Sequence, residues 1–279
     1  MSDVLLVEQT APSTPSADQV LLYAKAGGLI YSKDDAGVET TLSVLRTYIA
    51  GLTYSNGTDA TNDIDIAVGI ATDSTNVRPI TLASAITKQL DAAWAVGTNA
   101  GGLDTGAIGN SDYYIHLITR SDTGVVDALF SLSSTAPTMP TSYDFRRLIG
   151  WFKRSAGAIL AFNTYETEGG GVDFLWNAPI LDVNLANTLT TTRRTDALSV
   201  PLNFSVTVTV RVILDDAATL GQAIIYCPDQ SDQAPSTTAS PGINARIIVL
   251  SQASESELHI RTSATGTIAA RGTLATFDD

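Results

Sequence analysis

The chain has 279 residues, of which 44 % are hydrophobic and only 16 % charged, with a formal net charge of −13 and an isoelectric point near 4.4. This length suits two domains with a tail or linker. The thin charge, made up by Thr, Ser, Ala and Asp, fits a β-rich extracellular or virion protein better than a cytosolic helical one. The acidic field repels phosphate backbones and argues against nucleic-acid binding, and no run reaches the roughly eighteen apolar residues of a membrane span.

The first ten residues, MSDVLLVEQT, carry acids where an export signal needs basic residues, so synthesis in a cytoplasm without the usual signal is expected. Val4–Val7 has the composition of a short strand. Ala11–Ala17 (APSTPSA) reads as an extended linker with two prolines. Val20–Leu42 then reads as a meander of three short strands, Val20–Lys25, Leu29–Lys33 and Val38–Leu42. Gly27-Gly28 and Asp34-Asp35-Ala36-Gly37 supply the turns. Three strands of about five residues bury too little surface to fold alone, so the meander must lean on the rest of the chain or on another protein. Leu22, Tyr23, Leu29, Tyr31, Val38 and Leu42 are its candidate assembly residues.

Leu42, Leu45, Ile49 and Leu52 follow the a/d spacing of a helical seam over one and a half heptads. Two readings stand: a short amphipathic helix packed on its own domain, or a bundle between chains. From Asp63 the alternation turns to β, with Ile64, Ile66, Val68 and Ile70 on one face. Further strands are expected at Ile80–Ala85, Leu90–Val96, Tyr113–Arg120, Val125–Leu132, Phe145–Lys153, Ala158–Tyr165 and Val172–Trp176. Turn signals, Gly101-Gly102 among them, divide these strands. Ile86, Leu90 and Trp94 are also spaced i, i+4, which leaves a partly helical Ile80–Trp94 as an alternative. Ala178-Pro179 breaks the pattern. Beyond it Phe204–Leu214 is the strongest strand, its valines on one face and Ser205, Thr207, Thr209 and Arg211 on the other. Four shorter strands and the polar loop Pro228–Gly242 follow.

Short strands at this spacing predict an all-β protein of antiparallel sandwich or jelly-roll-like domains with an N-terminal β-meander and a short helix. The predicted divisions are an attachment segment at 1–57, a β-sandwich domain at 58–178 and a C-terminal β-domain at 179–279.

The segment YAKxGGLxYSKDDAGVET, preceded by a Pro/Ser/Thr-rich stretch, resembles the N-terminal region of many tailed-bacteriophage particle proteins. Trp94–Thr98 with Gly101–Asp104, Tyr113–Arg120, Thr123–Asp127 and Arg146–Gly150 follow an order similar to fibre and spike subunits, so the resemblance spans roughly the first 180 residues. It implies a fibre, spike or decoration subunit of the virion, made in the host cytoplasm and joined to capsid, collar or tail by its N-terminal segment. Trimeric assembly and a possible host surface glycan as partner are implied in the same way.

Enzymatic signatures are missing. No G-x-S-x-G elbow, Walker loop, dinucleotide fingerprint or H-E-x-x-H occurs, so a non-enzymatic protein without cofactor or metal is expected. His116 and His259 lie in alternating strands and read as satisfied half-buried histidines. Cys227 excludes an internal disulfide and reads as a small buried hydrophobe. The acid pairs Glu166/Glu168 and Asp215/Asp216 are the remaining candidates for glycan cleavage, although acids at strand ends are usually solvated turn residues. Asp59, Asn62, Asp63 and Asp65 gather oxygen ligands without the spacing of a calcium loop. Glycan binding without cleavage would be favoured by aromatic residues exposed in loops, such as Trp176 or Tyr143.

Overall fold

A computed structural model describes residues 6–25, 29–42, 46–168, 170–185, 192–215, 221–232, 246–250, 254–272 and 276–278. The chain divides into two compact units, Met1–Asn177 and Ala178–Asp279. Both are all-β, and no helix occurs among the described residues.

The first unit opens with β1 (Leu21–Lys25), β2 (Leu29–Lys33), β3 (Glu39–Thr41), β4 (Ile49–Gly51) and β5 (Tyr54–Asn56). It continues through β6 (Asp63–Ile66), β7 (Gly69–Thr72), β8 (Pro79–Leu82), β9 (Ile86–Ala93), β10 (Ala100–Leu103) and β11 (Asp112–Thr119). It closes with β12 (Val126–Ser131), β13 (Phe145–Ser155), β14 (Ala158–Ile159), β15 (Phe162–Glu166) and β16 (Val172–Trp176). An eight-stranded sheet runs in the order β14-β13-β11-β12-β10-β9-β6-β5 and curls toward a barrel. Ile159 N on the β14 edge donates to Thr61 O (3.0 Å) just after β5, and β15 of the separate β15-β16 sheet lies against the β5 edge through Phe162 N to Asn56 Oδ1 (3.1 Å) and Tyr54 N to Thr164 Oγ1 (2.7 Å). Ile64, Ile66, Leu90, Ile115, Leu117, Phe130 and Phe152 fill the interior, joined by Ala71, Ile80 and Leu82 from the separate β4-β7-β8 sheet. Burying each such aliphatic or aromatic side chain stabilises the fold by about 1.5–3 kcal/mol.

Two expectations are corrected here, and one alternative falls away. The helix through Leu42–Leu52 is replaced by the end of the meander and by β4 and β5, which pair with β7 and β6. Gly51 and Leu52 sit at φ +65° and +58°, a left-handed pair that a right-handed helix does not contain. Leu45 lies outside the described residues. Residues 80–94 hold two strands, β8 and β9, in place of the helical alternative. Gly101-Gly102, read as a turn, lies inside β10, which pairs in parallel with both β9 and β12. A six-residue return over residues 94–99 makes that parallel pairing possible. Only glycine fits in β10 there, because a Cβ would stand 2.0 Å from Ala93 O at Gly101 and 2.8 Å from the Phe130 ring at Gly102.

The second unit contains β17 (Asn184–Leu185), β18 (Arg194–Ala197), β19 (Thr207–Asp215), β20 (Gly221–Tyr226), β21 (Arg246–Leu250), β22 (Ser254–Arg261), β23 (Thr267–Gly272) and β24 (Thr276–Asp278). Two four-stranded sheets, β17-β24-β19-β22 and β18-β23-β20-β21, contribute to one core. Val212, Leu258 and Ile260 from the first meet Ile225, Ile268 and Ala270 from the second, a sandwich arrangement. On β19, Thr207, Thr209 and Arg211 are exposed while Val212 is buried, as alternation requires. Cys227 is a buried free thiol. Of the polar loop after it, residues 233–242 lie outside the described residues.

Candidate functional site

The N-terminal sheet has two unlike faces. β2 lies between β1 and β3, with Tyr23 opposite Tyr31 and Tyr31 opposite Thr41. Tyr23 is buried, its hydroxyl donates to Glu39, and Lys25 pairs with the same carboxylate while standing 4.6 Å above the Tyr31 ring. Lys25 and Tyr23 together hold the Glu39 carboxyl below its usual range by donating to it, and Glu39 in turn raises the Lys25 ammonium. The N-terminal arm closes the sheet further. Glu8 bridges to Ala24 along the β1 edge, and Lys33 Nζ donates to Pro12 O at 2.9 Å.

The opposite face is more open and carries several exposed hydrophobics, with Ser32 and Thr40 paired in the row of Leu22 and a buried Ala24 beside Ile30. Alternation places Val20, Leu22, Ile30, Val38 and Leu42 there, and Leu42 N donates to Ile30 O at 2.8 Å, extending the β2–β3 pairing by one row. Val20 is 66 % exposed, Leu22 55 %, Val38 58 % and Leu42 54 %. Isolated surface hydrophobics are ordinary, and here several gather on one sheet face.

Of the residues singled out in the sequence, Leu22, Val38 and Leu42 therefore share the open face, while Tyr23 and Tyr31 belong to the closed one. The side chain of Leu29 lies outside the described set. Leu42, Ile49 and Leu52 form no common seam. Leu52 is buried in the core of the first unit and Ile49 packs against that core, because β4 and β5 turn inward after the meander.

The chemical candidates are dispersed into structural duties. Glu166 is exposed and accepts Gly51 N at 2.9 Å, tying β15 to β4. Asp216 and the side chain of Asp215 lie outside the described set. Asp59 accepts Thr61 N and Asn62 Nδ2, and Asp65 accepts Thr87 Oγ1 at 2.5 Å. Burial and the neighbouring acids Asp59, Asp91 and Asp65 raise Asp63. Among the described residues no group of His, Cys, Asp and Glu has a metal-holding arrangement, and no helix is long and apolar enough to cross a membrane. His259 is exposed rather than half-buried, at 3.0 Å from Thr209 Oγ1. Tyr143 is buried, and Trp176 packs in a half-buried aromatic cluster with Trp151 and Phe174. Neither presents a free ring to a sugar.

A groove of about 420 Å³ in the first unit is lined by Thr53, Ser55, Asp65, Thr87, Asn163 and Tyr165 among others. Tyr165 is exposed at its rim.

A fully buried ion pair in the first unit was not singled out in the sequence. Lys88 on β9 and Asp127 on β12 are 3.2 Å apart and essentially unexposed. Lys88 Nζ also donates to Ala95 O (2.6 Å) and Gly97 O (3.2 Å), while Asp127 accepts Gly97 N (2.7 Å) and Ala128 N (2.7 Å). Burial pushes the Lys88 ammonium below the usual lysine range, against the pull of Asp127. Every polar atom of the pair is engaged, so it clamps the return between β9 and β10 and leaves no free nucleophile. The available signal was a lysine in phase with Ile86 and Leu90 on the apolar face of a strand. Asp73 is likewise fully buried and caps the β7–β8 turn by accepting the amides of Thr75, Val77 and Arg78.

No protein-family model matches this chain, and no curated protein matches it in sequence.

Proposed function

We propose that the chain is a non-enzymatic structural subunit of a tailed-phage or phage-like particle, a fibre or spike component attached through its N-terminal sheet and assembled as a homotrimer. The observation that carries this reading is the open face on which Val20, Leu22, Ile30, Val38 and Leu42 are exposed. A three-stranded sheet with one face held by Tyr23, Lys25 and Glu39, and the other exposing these hydrophobics around the small polar pair Ser32 and Thr40, is suited to being covered. Its partner in this reading is a capsid, collar or tail protein, and the β-rich units project from that attachment. Localisation on the virion follows, after synthesis in the host cytoplasm.

Two substitutions test the reading. Leu22→Asp and Leu42→Asp place carboxylates on side chains already more than half exposed, so the fold should survive. Incorporation into particles should fall sharply, and covering each charge in an apolar contact should cost several kcal/mol. Deletion of residues 1–42 should have the same effect. Wild-type incorporation of the doubly substituted protein, quantified in purified particles, would refute the role assigned to this face.

A glycan-binding adhesion module is the second reading, favoured by the groove with Tyr165 at its rim and Asp65, Thr87 and Asn163 along its walls. Aromatic stacking beside hydroxyl and amide groups suits a sugar. Tyr165→Ala would then abolish retention on immobilised host polysaccharide without altering particle incorporation.

A further inference from the structure

We propose that His116 makes residues 133–144 an acid-released strap across the outer face of the β11–β12–β13 sheet. This segment leaves the end of β12 and returns to the start of β13. It is tied down at several points. The His116 Nε2–H donates to Ser133 O (2.9 Å), Thr138 N donates to Asp104 Oδ2 (2.8 Å), and Arg146 donates to Thr135 O (2.7 Å). Tyr143 meets Trp94 edge-on at 5.2 Å and is buried with Ile118 and Leu129, against which Met139 also packs.

The chemistry turns on the second ring nitrogen. His116 is 1 % exposed, and donation to a carbonyl fixes the proton on Nε2. Nδ1 is buried and meets no hydrogen-bond partner among the described residues. A second proton there would create a buried cation whose new N–H has no acceptor. The surroundings do not compensate. Leu129 and Leu148 stand opposite His116 on β12 and β13, the strap offers the Ser133 carbonyl already in use, Arg146 on β13 repels a positive charge, and Asp104 after β10 weakly favours it. Burial accordingly lowers the His116 pKa below its ordinary 6.5.

The sign follows from linkage. The closed strap excludes the proton and the open strap accepts it with the ordinary histidine value, so closure is fully favoured above about pH 6.5 and weakens as pH falls below it. Opening uncovers the Trp94, Ile118, Leu129 and Tyr143 cluster, so mild acid would deliver an apolar surface from a folded subunit.

Amide hydrogen exchange at Thr138 and Asp144, corrected for intrinsic rates, reads the strap directly, because in the closed form these amides donate outside it, to Asp104 Oδ2 and Thr119 O. Between pH 7.5 and 5.0 the open fraction should rise by up to about thirtyfold, the ratio for a proton bound only in the open form. His116→Gln keeps an N–H able to reach the Ser133 carbonyl but does not titrate, and its exchange should stay flat across the same range. An equal acid response in H116Q, or none in the wild type, would overturn the proposal. Should H116Q fail to fold, the wild-type ring resonances decide. A midpoint below 6.5 shared by the strap amides upholds the switch, and a midpoint at or above 6.5 removes it.

Discussion

Replacing Lys88 with Met tests whether the buried pair holds the β9–β10 return. Met keeps an unbranched chain of similar reach and removes only the ammonium. The carbonyls of Ala95 and Gly97 lose their donor, and Asp127 keeps only Gly97 N and Ala128 N. Removing one partner of a buried pair costs about 3–5 kcal/mol, since the other charge stays desolvated. For a unit spanning Met1–Asn177, each kcal/mol moves the midpoint by about 2–4 °C, so Tm should fall by about 6–20 °C. All three tryptophans, Trp94, Trp151 and Trp176, lie in that unit, so tryptophan fluorescence follows its melting without interference from the second. Lys88→Met combined with Asp127→Leu removes the stranded charge and should recover at least about half of the loss. A Tm within about 2 °C of wild type for the single variant would refute the clamp.

Three further outcomes follow from the same unit. Gly150→Ala should cost about 1–3 kcal/mol by overpacking, because its Cβ would stand 2.4 Å from the Tyr54 ring; an unchanged midpoint in urea would mean that the ring moves freely. Tyr54→Phe leaves the buried Trp151 N–H, now 3.1 Å from the Tyr54 hydroxyl, without its acceptor and should cost about 1–3 kcal/mol in the same titration. Burial pushes the Tyr54 hydroxyl up to about 12, so its absorbance at 295 nm should fail to titrate with the exposed tyrosines near pH 10.

Much of the fold was legible because alternation survives in the sequence wherever one sheet face is wet. Phe204–Leu214 shows it in its Thr and Val phases, and β19 follows it. The failures arise where local signals compete with distant contacts. The 42–52 stretch has helical spacing, yet Leu52 earns its burial beside Tyr54, Ile64 and Ile66, partners that heptad counting does not see. Gly101-Gly102 carries turn chemistry, but its cause is the Phe130 ring and the Ala93 carbonyl, both brought close only in the folded sheet. Lys88 is marked by a charge in an apolar phase, whereas Asp127, its partner 39 positions away, has no local mark at all.

The candidate site divides along the same line. An open face with exposed hydrophobics is a property of alternation alone, so Leu22, Val38 and Leu42 were recoverable from their phase in three short strands. The closed face was not, because it depends on Lys25 and Tyr23 converging on Glu39, and on Pro12 reaching Lys33 from the arm. That contrast bears on the proposed attachment. The polar network holds the three strands in register before any partner arrives, so binding need not supply the ordering entropy that a disordered peptide would lose. Glu39→Gln should therefore weaken attachment without touching the open face, by loosening the sheet that presents it. Particle incorporation that is unchanged in E39Q, alongside faster amide exchange in residues 21–41, would show that the partner itself orders the sheet.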